Sequence, residues 1–103
     1  MKIVRVNYTT SAAFAPQNQA NIAGIVHELK ALNHPGIKYS TYLLPDCKSF
    51  MHFDQFENEE AHKLLTSLES FKKFEKELWA NGFEVEPVLE LLSLVASTES
   101  FFC

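Results

Sequence analysis

Residues 37–56, IKYSTYLLPDCKSFMHFDQF, decide the fold. Ile37 to Leu44 and Ser49 to Phe56 are runs rich in β-branched and aromatic residues, and Pro45-Asp46-Cys47-Lys48 between them carries the Pro-Asp signature of a tight turn. The stretch predicts an antiparallel hairpin. Gly ordinarily stands third in such a turn because that position takes positive φ. Here Cys47 occupies it, so either the backbone is mildly strained there or the turn type differs.

Upstream of the hairpin, Asn33, His34, Pro35 and Gly36 combine a left-handed-tolerant C-terminal residue, a cation near the negative helix end and a Pro-Gly break. They stop a helix that Pro16 suits at its first turn and that runs to about Leu32. Its apolar stripe is Ile22, Ile25, Val26, Leu29 and Leu32, at the i, i+3, i+4, i+7 spacing. Before it, Lys2 to Thr9 alternate Val4, Val6, Tyr8 against Ile3, Arg5, Asn7, Thr9, which predicts strand one. Thr10 to Ala15 is the connecting loop.

Downstream, Asn58 followed by Glu59 and Glu60 reads as an N-cap with acidic residues at the positive end of a helix. Leu64, Leu65, Leu68, Phe71, Phe74 and Leu78 continue a helical stripe, with Ser67 offering a second cap that would divide the segment near Leu68. Asn81-Gly82 ends it. Pro87 to Ala96, PVLELLSLVA, is apolar at nearly every position and predicts strand four, buried on both faces. Phe101 and Phe102 make the end too apolar for a free tail, so it is expected to dock on its own or a partner chain.

The order is βαββαβ in one domain spanning residues 1–103. This α+β arrangement gives the ferredoxin-like fold, a four-stranded antiparallel sheet with both helices on one face. The other face is then uncovered, and strand four and the hairpin make it apolar. Hiding even about 800 Å² of it is worth on the order of 20 kcal/mol before association costs. A homodimer is therefore expected.

A net charge of −4 lacks the basic footprint that nucleic acid requires. Lys72, Lys73 and Lys76 are interleaved with Glu69, Glu75 and Glu77, a solvated helix face. No apolar run approaches the roughly 20 residues that span a bilayer, and the chain opens on a strand pattern instead of a signal peptide, so no membrane association and a cytoplasmic location are expected. Cys47 and Cys103 form neither a framework nor a CxxC pair, which fits reduced thiols.

The element order and length, Asn7 on strand one, the Phe-bearing end of strand three leading into Asn58-Glu59-Glu60-Ala61, and the Leu/Phe-rich helix resemble the dimeric α+β barrel superfamily, in particular its antibiotic-biosynthesis-monooxygenase-like group. The resemblance covers nearly the whole chain through diffuse patterns. It implies the fold and a dimeric barrel. It does not choose among the group's chemistries, which range from cofactor-free oxygenation to haem degradation. Asn7 matches by position an Asn that haem-degrading relatives use to orient ligand. Those relatives also carry a Trp and, ten residues on, a His. Aligned on Phe71, this chain has Leu65 and Glu75 there, so haem chemistry is not expected and no cofactor is assigned.

Three side chains stand as candidates. Asn7 and Arg5 share one face of strand one and would bind a ligand, Arg5 an acidic one. The ordinary alternative is an amide satisfied by neighbours and an Arg paired with a carboxylate. His52, between Phe50 and Phe53, is the candidate catalytic base for an acidic phenol or enol, against the alternative of a hydrogen-bonded core histidine. Glu59-x-x-His62 is one ligand pair and makes no metal site alone. Trp79 reads as a packing anchor. Two functions compete: a cofactor-free monooxygenase-like enzyme or binder of a small aromatic ligand, and a non-catalytic dimeric structural or stress-associated module. Polar groups converging on an apolar cavity favour the first, and a cavity filled by Phe the second.

Overall fold

A computed structural model of the chain describes residues 1–100 and Phe102. Its elements are β1 (Lys2–Thr9), α1 (Ala15–Leu32), β2 (Ile37–Leu43), β3 (Ser49–Phe56), α2 (Glu59–Ser67), α3 (Glu69–Asn81) and β4 (Val85–Leu92). The hairpin of β2 and β3 forms in register, Ile37 opposite Phe56 and Leu43 opposite Phe50. Its turn closes with Cys47 N–H donating to the Leu44 carbonyl at 3.0 Å. Cys47 does take the left-handed conformation, at φ 63°. The strain is offset by Asp46, whose Oδ1 accepts from the backbone N–H of Lys48 and Ser49 at 3.0 and 2.8 Å.

The other punctuation signals act as their chemistry dictates. Asn33 ends α1 in the left-handed conformation, at φ 51°. Asn58 caps α2 by accepting from Ala61 N–H at 2.9 Å, with Glu59 and Glu60 in the first turn. The second helical segment divides at Leu68, which is extended at φ −67°, ψ 141°. Ser67 does not supply the cap, because its Oγ donates back to the Leu64 carbonyl at 2.6 Å. Leu68 turns into the core instead, and α3 receives its cap from α1: Ser70 N–H and Oγ donate to Glu28 Oε1 at 3.3 and 2.5 Å.

The sheet is antiparallel in the order β2-β3-β1-β4. Tyr8 reaches a side chain of α1, so Val4, Val6 and Tyr8 face the helices. Register then places His52, Asp54 and Phe56 of β3 on the same face. The core joins these strands to all three helices through Ile22, Ile25, Phe50, Phe56, Leu65, Phe74 and Leu78.

β4 departs from expectation. It runs Val85–Leu92, not Pro87 to Ala96, and it is not buried on both faces. It is the sheet's edge, and Val85, Val88, Leu89 and Leu91 stand exposed. Uniform apolarity marks surface that wants cover without saying that the same chain supplies it.

On the sheet face away from the helices, one register row reads Leu92, Ile3, Gln55, Lys38. Ile3 and Gln55 are buried, at 5% and 7% exposed. On the same face the Phe102 ring lies 5.8 Å from Lys38 Nζ. Phe101 and Cys103, expected respectively to dock and to remain a reduced thiol, lie outside the described residues. Among the described residues no helix is long and apolar enough to cross a membrane.

Candidate functional site

Beyond the edge of α1's cover, the helix-facing side of β1 and β4 meets α2 and α3 across a cleft of about 360 Å³. Apolar side chains make most of its walls, among them Val4, Val6, Leu65, Phe71, Phe74 and Leu78, with Trp79 and Leu89 at the rim. Phe side chains line the space and do not fill it. Polar groups enter from the floor: Tyr8, His52 and Asp54.

His52 and Tyr8 form a closed network. Asn18 Nδ2 donates to Tyr8 Oη at 2.9 Å, and Tyr8 Oη lies 2.7 Å from His52 Nε2. With Asn18 donating, the Tyr8 proton goes to Nε2, and Nδ1–H remains for Thr41 Oγ1 at 3.1 Å or Tyr39 Oη at 3.2 Å. Both ring nitrogens are thus engaged. Burial holds the imidazole down at about 4, so it is neutral at physiological pH, and burial raises Tyr8 and Tyr39 well above the ordinary phenol range. The structure brings His52 to the cleft while leaving it no free nitrogen for proton transfer.

Asp54, next but one along β3, is the opposite case. The residue is 8% exposed, and Oδ1 is buried without a partner. Burial in apolar surroundings pushes it up to about 7, which makes it a carboxyl able both to take and to return a proton near neutrality. Sequence reasoning missed this residue. The period-two alternation of SFMHFDQF was the available signal, since it places Asp54 on the same face as His52.

Arg5 and Asn7 are not brought to the cleft. They alternate with Val4, Val6 and Tyr8 and so face the other side of the sheet, where Arg5 Nη2 pairs with Glu90 Oε1 at 2.7 Å. Asn7 lies there half-buried, opposite Met51 and Val88. Leu65 and Glu75, the positions compared with the Trp and His of haem-degrading proteins, both line the cleft. Trp79 is not the packing anchor expected of it. It is 62% exposed, with its ring edge-on to Phe83 at 4.9 Å.

No protein-family model matches the sequence, and no curated protein matches it significantly. Solved structures match closely in shape. A crystal structure described as an antibiotic biosynthesis monooxygenase superposes with a TM-score of 0.76 at 13% identity, covering 93% of this chain and all of that one. A proposed antibiotic biosynthesis monooxygenase from Bacteriodes thetaiotaomicron gives 0.78 at 13% identity, covering 96% and 93% of the two chains. One from Caulobacter crescentus gives 0.76 at 18% identity, covering 92% and 90%. At these identities the likeness speaks to architecture, and with the sheet order and helix placement above it shows that this chain has the ferredoxin-like α+β fold of the antibiotic biosynthesis monooxygenase domain proteins.

Proposed function

We propose that the cleft binds a small, weakly acidic aromatic molecule and that the chain is a cofactor-independent, monooxygenase-like enzyme in which Asp54 is the base. The observation that carries this reading is the Asp54 carboxyl, buried with an unpartnered oxygen on the floor of an apolar cleft. His52 serves by position. Locked between Tyr8, Tyr39 and Thr41, it holds the floor of the cleft rigid beside Asp54. The names of the similar structures support an oxygenation as the chemistry.

The reacting group is an activated CH₂ carbon beside a phenol or enol, and dioxygen is the oxidant. Asp54 takes the carbon's proton, and the carbanion adds to dioxygen to give a peroxide anion. Asp54 returns the proton to that anion, and the hydroperoxide loses water to leave a carbonyl. The balance is R₂CH₂ + O₂ giving R₂C=O + H₂O.

The test is a thermal-shift screen with phenols and hydroquinones, followed by oxygen uptake. A ligand at 100 times its Kd should add about 2.7 kcal/mol of stability. Asp54→Asn should remove oxygen uptake while the protein stays folded. Absence of any ligand-dependent shift across the screen would overturn the proposal.

The homodimer belongs to the same proposal. It is supported by the apolar edge of β4, exposed on both faces and continuous with the cleft rim at Leu89. Sedimentation at micromolar concentration should show a species of twice 11.7 kDa, and a lone 11.7 kDa species would refute it.

A further inference from the structure

We infer that the cleft selects its ligand by polarity: it takes an uncharged aromatic that offers a hydroxyl proton, and it turns away aromatic carboxylates and phosphate esters. This rests on the reading that the cleft binds an aromatic molecule, and it adds which aromatics are admitted.

Apart from the ring N–H groups of Trp79 and His62, the polar groups of the lining are engaged donors or acceptors. Among the described residues, no Lys or Arg lines the cleft, whereas two carboxyl groups do, Asp54 on the floor and Glu75 at the exposed rim. The donors on the floor are already engaged. Tyr8 gives its proton to His52, and His52 gives Nδ1–H to Thr41 or Tyr39. Thr66, on the α2 wall, donates its hydroxyl to the Lys63 carbonyl at 3.1 Å. The Asp54 oxygen without a partner is an acceptor.

The nearby cations are turned elsewhere. Lys2 holds Glu59 at 3.0 Å, and Lys63, Lys72, Lys73 and Lys76 lie exposed on α2 and α3, outside the lining. His62, also in the lining, has its pKa lowered by burial and by Lys2, so it is uncharged at neutral pH and above. A ligand anion placed here would lose its hydration and meet like charge with no counter-ion to replace the water. A ligand hydroxyl would instead find the Asp54 oxygen, the buried atom of the cleft lining that lacks a hydrogen bond.

Calorimetric titration of the full chain with naphthol, methoxynaphthalene and naphthoate separates the possibilities, since the three share one ring system and differ in donor and charge. The measurement belongs at a pH of about 8, where the Asp54 carboxyl is ionised and acts only as an acceptor. Naphthol is expected to bind at least about tenfold more tightly than either other ligand, the worth of one hydrogen bond to a charged acceptor. In Asp54→Asn the preference for naphthol over methoxynaphthalene should collapse toward parity, because the amide can donate to the ether oxygen. In Glu75→Gln, at the exposed rim where folding is not at risk, naphthoate binding should rise several-fold while naphthol is unchanged.

Naphthoate or methoxynaphthalene binding as tightly as naphthol to the native chain would overturn the selectivity and leave the cleft's role as an aromatic site standing. If no member of the series binds, the aromatic site itself fails. Circular dichroism melts of both variants establish that they fold. Should Asp54→Asn fail to fold, the Glu75→Gln titration and the native series still decide the question.

Discussion

His52 and Asp54 point the same way from β3 and are buried to nearly the same depth, yet they belong to different regions. His52 closes the corner bounded by α1, where Tyr8, Thr41 and Tyr39 engage both ring nitrogens and Asn18 donates to Tyr8. Asp54 faces the cleft under α2 and α3, where nothing answers Oδ1. Burial is common to both, so burial does not distinguish a site from a core. Unspent hydrogen-bonding capacity beside open space does.

The two regions should separate most clearly in the pH dependence of stability. His52 is held at about 4 against an ordinary 6.5, so as pH falls the unfolded chain binds that proton first and the folded state loses stability between pH 6.5 and 4. Asp54 is raised to about 7 against an ordinary 3.8, so the folded chain keeps its proton longer and loses stability as pH rises through that window. Each slope is about 1.4 kcal/mol per pH unit, and over the shared range the two oppose each other. Urea unfolding of the native chain should therefore be nearly flat from these two groups between pH 4 and 6.5. Asp54→Asn should unmask a climb on the order of 3 kcal/mol across the same range. A variant as flat as the native chain would mean that the two residues do not differ as their surroundings require.

A smaller effect tests the closed corner alone. Tyr8→Phe removes the hydroxyl that accepts from Asn18 and donates to His52, leaving two buried polar atoms without partners. The loss should be about 2 to 3 kcal/mol by denaturant melts. Naphthol affinity should fall far less. If stability holds within about 0.5 kcal/mol, as for an ordinary surface substitution, the bonds from Asn18 through Tyr8 to His52 do not hold the corner together.

How much of this was legible in the sequence differs by region. The hairpin, α1 and the α2 cap carry local punctuation (Pro45-Asp46, Asn33 with Pro35-Gly36, Asn58), and each acts through backbone chemistry that needs no tertiary partner. The fold and its likeness to the monooxygenase-type structures followed from them. β4 was misplaced because a nearly uniform apolar run carries neither a clear period nor an end. Arg5 and Asn7 were grouped rightly with each other, but which side of β1 meets the helices depends on Tyr8 finding Asn18 across the chain. Asp54 was hidden for a different reason. An Asp in a strand looks like a solvent-facing residue until the register is known, and only the packed structure reveals that its second neighbour finds partners while it does not.

The smallest effect tests whether the corner and the cleft are mechanically separate. α3 borders both, and its first turn is capped from α1, Glu28 Oε1 accepting from Ser70 N–H and Oγ. Ser70→Ala removes the hydroxyl donor while keeping the backbone one, so the expected loss is about 1 kcal/mol, typical of a helix cap. Glu28→Gln keeps an acceptor oxygen and should cost less than Glu28→Ala. The Phe71 wall of the cleft is the next residue along, so a loosened first turn has a direct route to the site. If Phe74 and Leu78, both buried farther along α3, hold the helix in place, naphthol affinity should change by under about 0.5 kcal/mol, the range of substitutions away from special features. An affinity that falls in step with stability would show that the cleft depends on the corner's cap, and the two regions would then act as one unit.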